Sequence, residues 1–343
     1  MRRENPGQLG LFGTPAKAER GGDSESAERL AREHAETAEI AARLPFGIRF
    51  GTSSWSFPGW KGIVYSHRTT TAVLAREGLA EYARHPLLTT VGIDRGYYGP
   101  IPGADLARYA SQLPPGFPCC AKAPEAVCAA ARSPRPGEAV RENPDFLNAE
   151  RFVDEMVGPF LEVFREHTGP FLLQMPPVAR EKRPAPPAFA ERLDRFLAGL
   201  PKGARYAVEL RDPVLLTAEY REVLAARGAA HVYNYVTAMP MPEEQTASVP
   251  VESASFAVIR LLLAPGTRYN DRREEFAPFD KLVAPDLEMR RQVVSLARAA
   301  VSLGREVFVL VNNKAEGCSP LTIRALAEML ADESAPSPSG TSG

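Results

Sequence analysis

The chain has 343 residues, 44% of them hydrophobic, and a formal net charge of −1. This composition is ordinary for a globular protein, and the length suits one barrel-sized domain or two smaller ones. With no global positive field, strong direct nucleic-acid binding is not expected, and no apolar stretch approaches the roughly 20 residues of a membrane span.

Residues 1–44 read as a flexible N-terminal tail with a possible helix. Their first part is rich in Gly and Pro, which argues against a packed structure. It carries arginines but no apolar core of a secretion signal. Residues 24–43, rich in Ala and Glu, are expected to form a surface helix.

Residues 45–333 alternate regularly. Short apolar runs occupy 48–55, 89–94, 118–122, 170–174, 205–211, 229–234, 255–260 and 306–313. Helix-length segments follow at 71–84, 104–113, 149–166, 187–200, 217–227, 286–303 and 320–330. In 149–166, Phe152, Met156, Phe160 and Phe164 recur every four residues and predict one buried stripe. Pro159 should kink that helix. Strand and helix in repeated alternation imply parallel pairing through right-handed crossovers, hence a TIM-like (β/α)8 barrel as a single domain. Residues 334–343, rich in Pro, Ser and Gly, are expected to be a disordered tail.

Nearly every run ends in a polar residue that does not suit a core. Helix-to-strand connections are short, while the strand-to-helix connections 123–148, 236–254 and 264–285 are long. Polar strand ends beneath long loops mark the active-site face of such a barrel. The charged segment 266–286 reads either as a lid or as an ordinary exposed insertion.

The strand ends supply the candidate site. Glu209 and Arg211 lie two apart on one strand and so share a face. Glu209, kept ionised by Arg211, reads as a base, a nucleophile or an acceptor for hydroxyls, or else as half of a structural ion pair. Lys122, Arg211 and Arg260 with the amides Gln174, Asn234, Asn312 and Asn313 suit a small anionic or polyhydroxylated ligand. Lys122 and Arg211 join Glu209 as catalytic candidates, and Asp94 joins the ligand-binding set. Trp55, Tyr97 and Tyr98 either stack on a sugar or base, or pack loops onto the barrel.

No cofactor motif is present, neither a P-loop nor a dinucleotide fingerprint. The five histidines do not converge at strand ends, so no metal is expected; Asp94 with Glu209 is a weak Mg²⁺ signal. Cys119, Cys120, Cys128 and Cys318 show no ligand or disulfide spacing, which fits a reducing compartment and a cytoplasmic location.

Several segments, in order, resemble the YecE-like family, also called domain of unknown function 72. They are Gly51-Thr-Ser-Ser-Trp55-Ser-Phe-Pro-Gly-Trp60 with Tyr65, then Asp94-x-x-Tyr97-Tyr98, Lys122-Ala-Pro, Gln174-Met-Pro-Pro, Glu209-Leu-Arg211, Arg260-Leu and Asn312-Asn313. The resemblance implies a TIM-like barrel of unsettled activity. It also implies departures at Gly92, Asp94, Cys128-Ala129, Asp212 and Leu262-Leu263, several of which replace histidines. The chain is either a branch with altered chemistry or one that has lost catalysis.

Gln8, Leu9, Leu11 and Phe12 match a Q-L-x-L-F pattern by which bacterial proteins dock on the DNA sliding clamp. Two functions are therefore open. One is a metal-independent hydrolase of a phosphorylated or polyhydroxylated, nucleic-acid-derived compound. The other is a non-catalytic barrel recruited to the clamp by its tail.

Overall fold

The computed structural model describes residues 20–132 and 138–332, with side chains from residue 24 onward. The motif residues Gln8, Leu9, Leu11 and Phe12 and the tail 334–343 lie outside the described residues.

Eight parallel strands close into a barrel. β1 (Ile48–Thr52), β2 (Leu88–Ile93), β3 (Cys119–Lys122) and β4 (Thr168–Gln174) form one half. β5 (Tyr206–Glu209), β6 (Ala230–Tyr235), β7 (Phe256–Leu261) and β8 (Glu306–Val311) form the other. Neighbours follow chain order, and β8 pairs with β1 to shut the sheet. The TIM-like barrel expected from the alternation is the fold. Some ladders stop short of the apolar runs: β1 ends at Thr52 and β5 at Glu209, leaving 53–55 and 210–211 to the loops.

Alternation along each strand separates two cores. On β8, Val307, Val309 and Val311 join the outer core under the helices, while Phe308 and Leu310 join an inner core with Cys120, Leu172, Ala207, Val232 and Val258. The same parity turns Arg49, Arg205 and Glu306 inward at the bottom of the barrel. There Arg49 and Arg205 both pair with Glu306, and the Arg205 guanidinium lies 4.8 Å from the Phe308 ring centre. At the seam between β1 and β2 the backbones approach closely. A Cβ on Gly51 would lie 2.2 Å from the Thr90 carbonyl oxygen, and one on Gly92 2.7 Å from that of Ser53. A side chain at Gly92 would therefore force the two backbones apart.

The helices carry the caps their sequences supply. The Thr217 hydroxyl accepts from the Tyr220 amide at 3.3 Å and starts Ala218–Arg227, which ends on Gly228 at φ 65°. Asp286 accepts from the Met289 amide at 2.9 Å and starts Leu287–Ser302. The segment expected as one helix over 71–84 breaks at Gly78 into Thr71–Glu77 and Leu79–Tyr82. The kink expected at Pro159 takes the form of a π-helical turn, Val153–Val157, in which the Gly158 amide bonds Val153 O. Proline has no N–H to give and crowds the carbonyl four residues back, so the chain widens just before it. Phe152, Met156, Phe160 and Phe164 are all buried, as their spacing predicts.

The long loops hold elements of their own, Glu125–Cys128, Pro242–Ser248 and Tyr269–Phe276. Phe279 of the last segment packs edge-on against Phe57 of the loop after β1, with ring centres 5.7 Å apart. Before the barrel, the helix Arg20–Ala41 lies along Ser319–Asp332. Arg324 reaches Glu33 and Glu36, each at 2.7 Å, and Arg43 reaches Asp332 at 3.3 Å. These pairs fix the two helices running in the same direction, so Arg20 stands on the side of the barrel where the strands end. Among the described residues, no helix is long and apolar enough to cross a membrane.

His34 of this helix meets His85 edge-on at 5.3 Å. Burial, with lesser contributions from His34 and Arg324, pushes the His85 imidazole down to about 3. The unfolded chain therefore binds a proton near the ordinary value of 6.5 that the folded state refuses until about 3. Stability must fall as pH drops below 6.5, and this contribution is lost across that window. We expect urea unfolding of His85→Asn to lose less stability between pH 7 and pH 5 than the wild type does. Identical slopes would remove His85 as a source of acid sensitivity.

Candidate functional site

β5 delivers Glu209 to the barrel axis just below the mouth, where it is fully buried. Both carboxylate oxygens are engaged: Arg211 Nε donates to Oε1 and Arg260 Nη1 donates to Oε2. Burial alone would raise the carboxyl; Arg211 and Arg260 more than offset it and hold the group down to about 2. Gln174, directly across the β4–β5 ladder from Glu209, accepts from Arg211 Nη2 at 3.0 Å. Arg260, 2% exposed, also approaches Asp94 Oδ1 at 3.7 Å. The period-two argument thus places Glu209 and Arg211 on one face, and three strands and two loops meet there.

Glu209 is held as an anion between two guanidiniums, with no face open to water. A carboxylate so placed is a poor base and a poor nucleophile. Arg260 pairs with Glu209 and also approaches Asp94, so the two carboxylates expected to share a Mg²⁺ ion already share a guanidinium. Among the described residues, no group of three or more His, Cys, Asp or Glu side chains could hold a metal ion.

Lys122 closes β3. Its Nζ lies 3.6 Å from the centre of the Tyr97 ring, and Tyr97 OH donates to Glu125 Oε1 at 3.0 Å. Burial lowers the Lys122 amine, partly offset by Asp94. Tyr98 stands at the rim, 88% exposed, edge-on to Tyr97. Asn312 is half-buried and accepts from the Lys314 amide at 3.1 Å.

Three candidate residues are occupied elsewhere. Trp55 is buried, gives its indole N–H to Leu74 O at 2.8 Å and packs edge-on to Tyr109, so it ties the first loop to the helix layer. The Asn313 side-chain oxygen accepts from Trp60 at 3.3 Å and from the amide and hydroxyl of Ser319, each at 2.8 Å, which starts the last helix. Asn234 is fully buried and donates to Leu210 O at 2.7 Å, holding the turn that carries Arg211.

One group the motifs did not single out belongs here. Lys314 follows Asn312 and Asn313, and its Nζ lies 4.4 Å from the centre of the Tyr269 ring. Burial pulls its amine down to about 8, with Asp94 opposing and Arg273 assisting. Its place two residues beyond a polar strand end was the available signal.

Removing one partner from a buried ion pair costs on the order of 3–5 kcal/mol. We expect Glu209→Gln, which leaves Arg211 and Arg260 facing each other, to lower the urea midpoint strongly. Glu191→Gln, on the exposed Arg195 pair at 3.5 Å, should leave it unchanged. Two equally small shifts would show that the clamp contributes little.

Residues 49–342 match the family described as "Protein of unknown function DUF72". The similar solved structures include a DUF72 family protein from Thermotoga maritima, 19% identical, with a TM-score of 0.56 over 82% of this chain and 98% of that one. Another is a DUF72 family protein from Enterococcus faecalis, 17% identical, with a TM-score of 0.55 over 83% of this chain and 95% of that one. No curated protein matches the sequence. The chain belongs to the DUF72 family, and the structural likenesses bear on the fold alone.

Proposed function

We propose that the mouth of this DUF72 barrel binds a small anionic compound, phosphorylated or rich in hydroxyls, and hydrolyses it without a metal. The supporting observation is an imbalance of charge. Lys122, Arg211, Arg260 and Lys314 stand against Asp94 and Glu209, leaving two positive charges in excess. Among the described residues, neither lysine has a carboxylate within ion-pair distance, and burial lowers both amines. A cation stripped of water and left unpaired is costly, and an incoming anion relieves that cost.

In this reading Glu209 positions and does not react. It fixes Arg211 and Arg260 so that no reorganisation is needed when the ligand arrives. Lys122 and Lys314 meet the anion, with Asn312 and Tyr98 at the rim. Asp94, a partly exposed carboxylate, is the group to accept a proton from attacking water.

A second reading follows from the sealing of Glu209. A barrel whose best-placed carboxylate cannot react is suited to binding without turnover. Recruitment to a bacterial sliding clamp through Gln8, Leu9, Leu11 and Phe12 belongs to this reading. Arg20 stands on the mouth side, so a partner gripping the preceding residues would be held near the mouth. A synthetic peptide of residues 1–20 should then bind the clamp at roughly micromolar affinity, and Leu11→Ala with Phe12→Ala should abolish it.

Calorimetry with sugar phosphates and the matching neutral sugars tests the mouth. We expect only the phosphates to bind, and Lys122→Gln or Lys314→Gln to weaken them by about tenfold, the scale of one charge-assisted hydrogen bond. Because the Lys314 amine titrates near 8, affinity should decline as pH rises through that value, and the decline should vanish in Lys314→Gln. Equal binding of neutral sugars would overturn the anion reading. Turnover lost in Asp94→Asn with binding retained would favour the hydrolase over the binding-only barrel.

A further inference from the structure

Enclosed volume and polar convergence lie at opposite ends of this barrel. A cavity of about 810 Å³ opens at the N-terminal end, around the start of β1. That volume lies within the range of small-molecule sites. Leu44, Phe46, Leu87 and Val301 form its apolar walls, and Phe46 is fully exposed.

The cavity also contains polar groups that the protein leaves unanswered. Arg305 precedes β8 and Thr89 lies on β2, the two strands that flank β1. Arg305 Nε and Thr89 Oγ1 are buried atoms with no hydrogen-bond partner, and both residues line the cavity. Among the described residues Arg305 makes no ion pair. The one carboxylate in the lining, Glu306, is already shared between Arg49 and Arg205. The polar side of the cavity is therefore cationic and short of acceptors, while the rest is hydrocarbon. A half-buried guanidinium without a counter-ion, set beside hydrocarbon, favours a ligand that supplies the missing acceptor.

We infer that this cavity is a second ligand site, built for an amphiphilic anion: an apolar body, aliphatic or aromatic, ending in a carboxylate-like head. The head bonds the Arg305 guanidinium, and the body lies against Phe46, Leu87 and Val301. The site stands independently of the anion reading of the mouth.

Anilinonaphthalene sulfonate, an aromatic body with an anionic head, is the probe. Its fluorescence should rise with one-to-one stoichiometry on the folded full-length chain. Octanoate should displace it, and octanol, of equal length without charge, should not. Arg305→Gln should weaken both anions by about tenfold, the scale of one charge-assisted hydrogen bond. Val301→Trp, which fills the cavity, should abolish binding, while Lys314→Gln at the mouth should leave it unchanged. Arg305 is half-buried at the rim, so Arg305→Gln decides the matter if Val301→Trp does not fold. Displacement by octanol as effective as by octanoate, or full affinity in Arg305→Gln, would overturn the proposal. Concentration-dependent dimer formation that blocks the probe would overturn it too, assigning the Phe46 face to a second copy of the chain.

Discussion

A carboxylate inside a closed barrel has two options: lose its charge or find cations. Glu209 takes the second, and the upper half of the barrel is arranged around it. Arg260 must point inward from β7, Arg211 must turn back from the loop after β5, and Gln174 must stand level with Glu209 on β4 to hold Arg211. The contact locks register as well as charge. A slip of one residue in β5 would send Glu209 into the hydrocarbon of the helix layer and bring Val208 or Leu210 beneath Arg260. Asn234 is drawn into the same constraint, since its bond to Leu210 O holds the chain that presents Arg211.

The bottom of the barrel repeats the solution. One carboxylate, Glu306, is shared by Arg49 and Arg205, and between the two ionic layers lies the apolar inner core around Leu172, Val232, Val258 and Leu310. What differs is the surplus. At the mouth, long loops bring Tyr97, Tyr269 and Lys314 over the strand ends, and the extra cations are packed against aromatic rings rather than carboxylates. At the bottom the connections are short, so little covers the start of β1 and a cavity remains open there.

The fold was legible because both periods are strong in this chain: short apolar runs of strand length separated by helical stripes such as Phe152, Met156, Phe160 and Phe164. Period two also placed Glu209 and Arg211 on one face. What it could not supply was the second cation on Glu209, because Arg260 lies on β7, two strands away around the barrel and 51 residues on in the chain. That contact turns a candidate base into a fixed counter-ion. Trp55 and Asn313 misled for a related reason. They adjoin strand ends, yet their polar atoms satisfy Leu74 O and the start of the last helix, partners visible only once the loops are folded. Lys314 was passed over because the strand pattern stops before it.

The departures from the family pattern acquire structural reasons. Cys128 is buried, and desolvation pushes its thiol up to about 12, which removes it as a nucleophile. Asp212 accepts from the Val214 amide at 3.2 Å and pairs with Arg183, so it braces the loop beneath Arg211. Leu262 and Leu263 are buried. Each of these residues has a packing or bracing task. In the proposed hydrolase reading, proton transfer falls to groups accessible at the mouth. Asp94 is partly exposed, and the Lys314 amine, lowered to about 8, changes charge near neutral pH. In that reading the proton acceptor is a carboxylate, Asp94, where the family pattern has imidazoles. The excess of positive charge depends on the sealed Glu209, because a carboxylate free to pair with Lys122 or Lys314 would remove it.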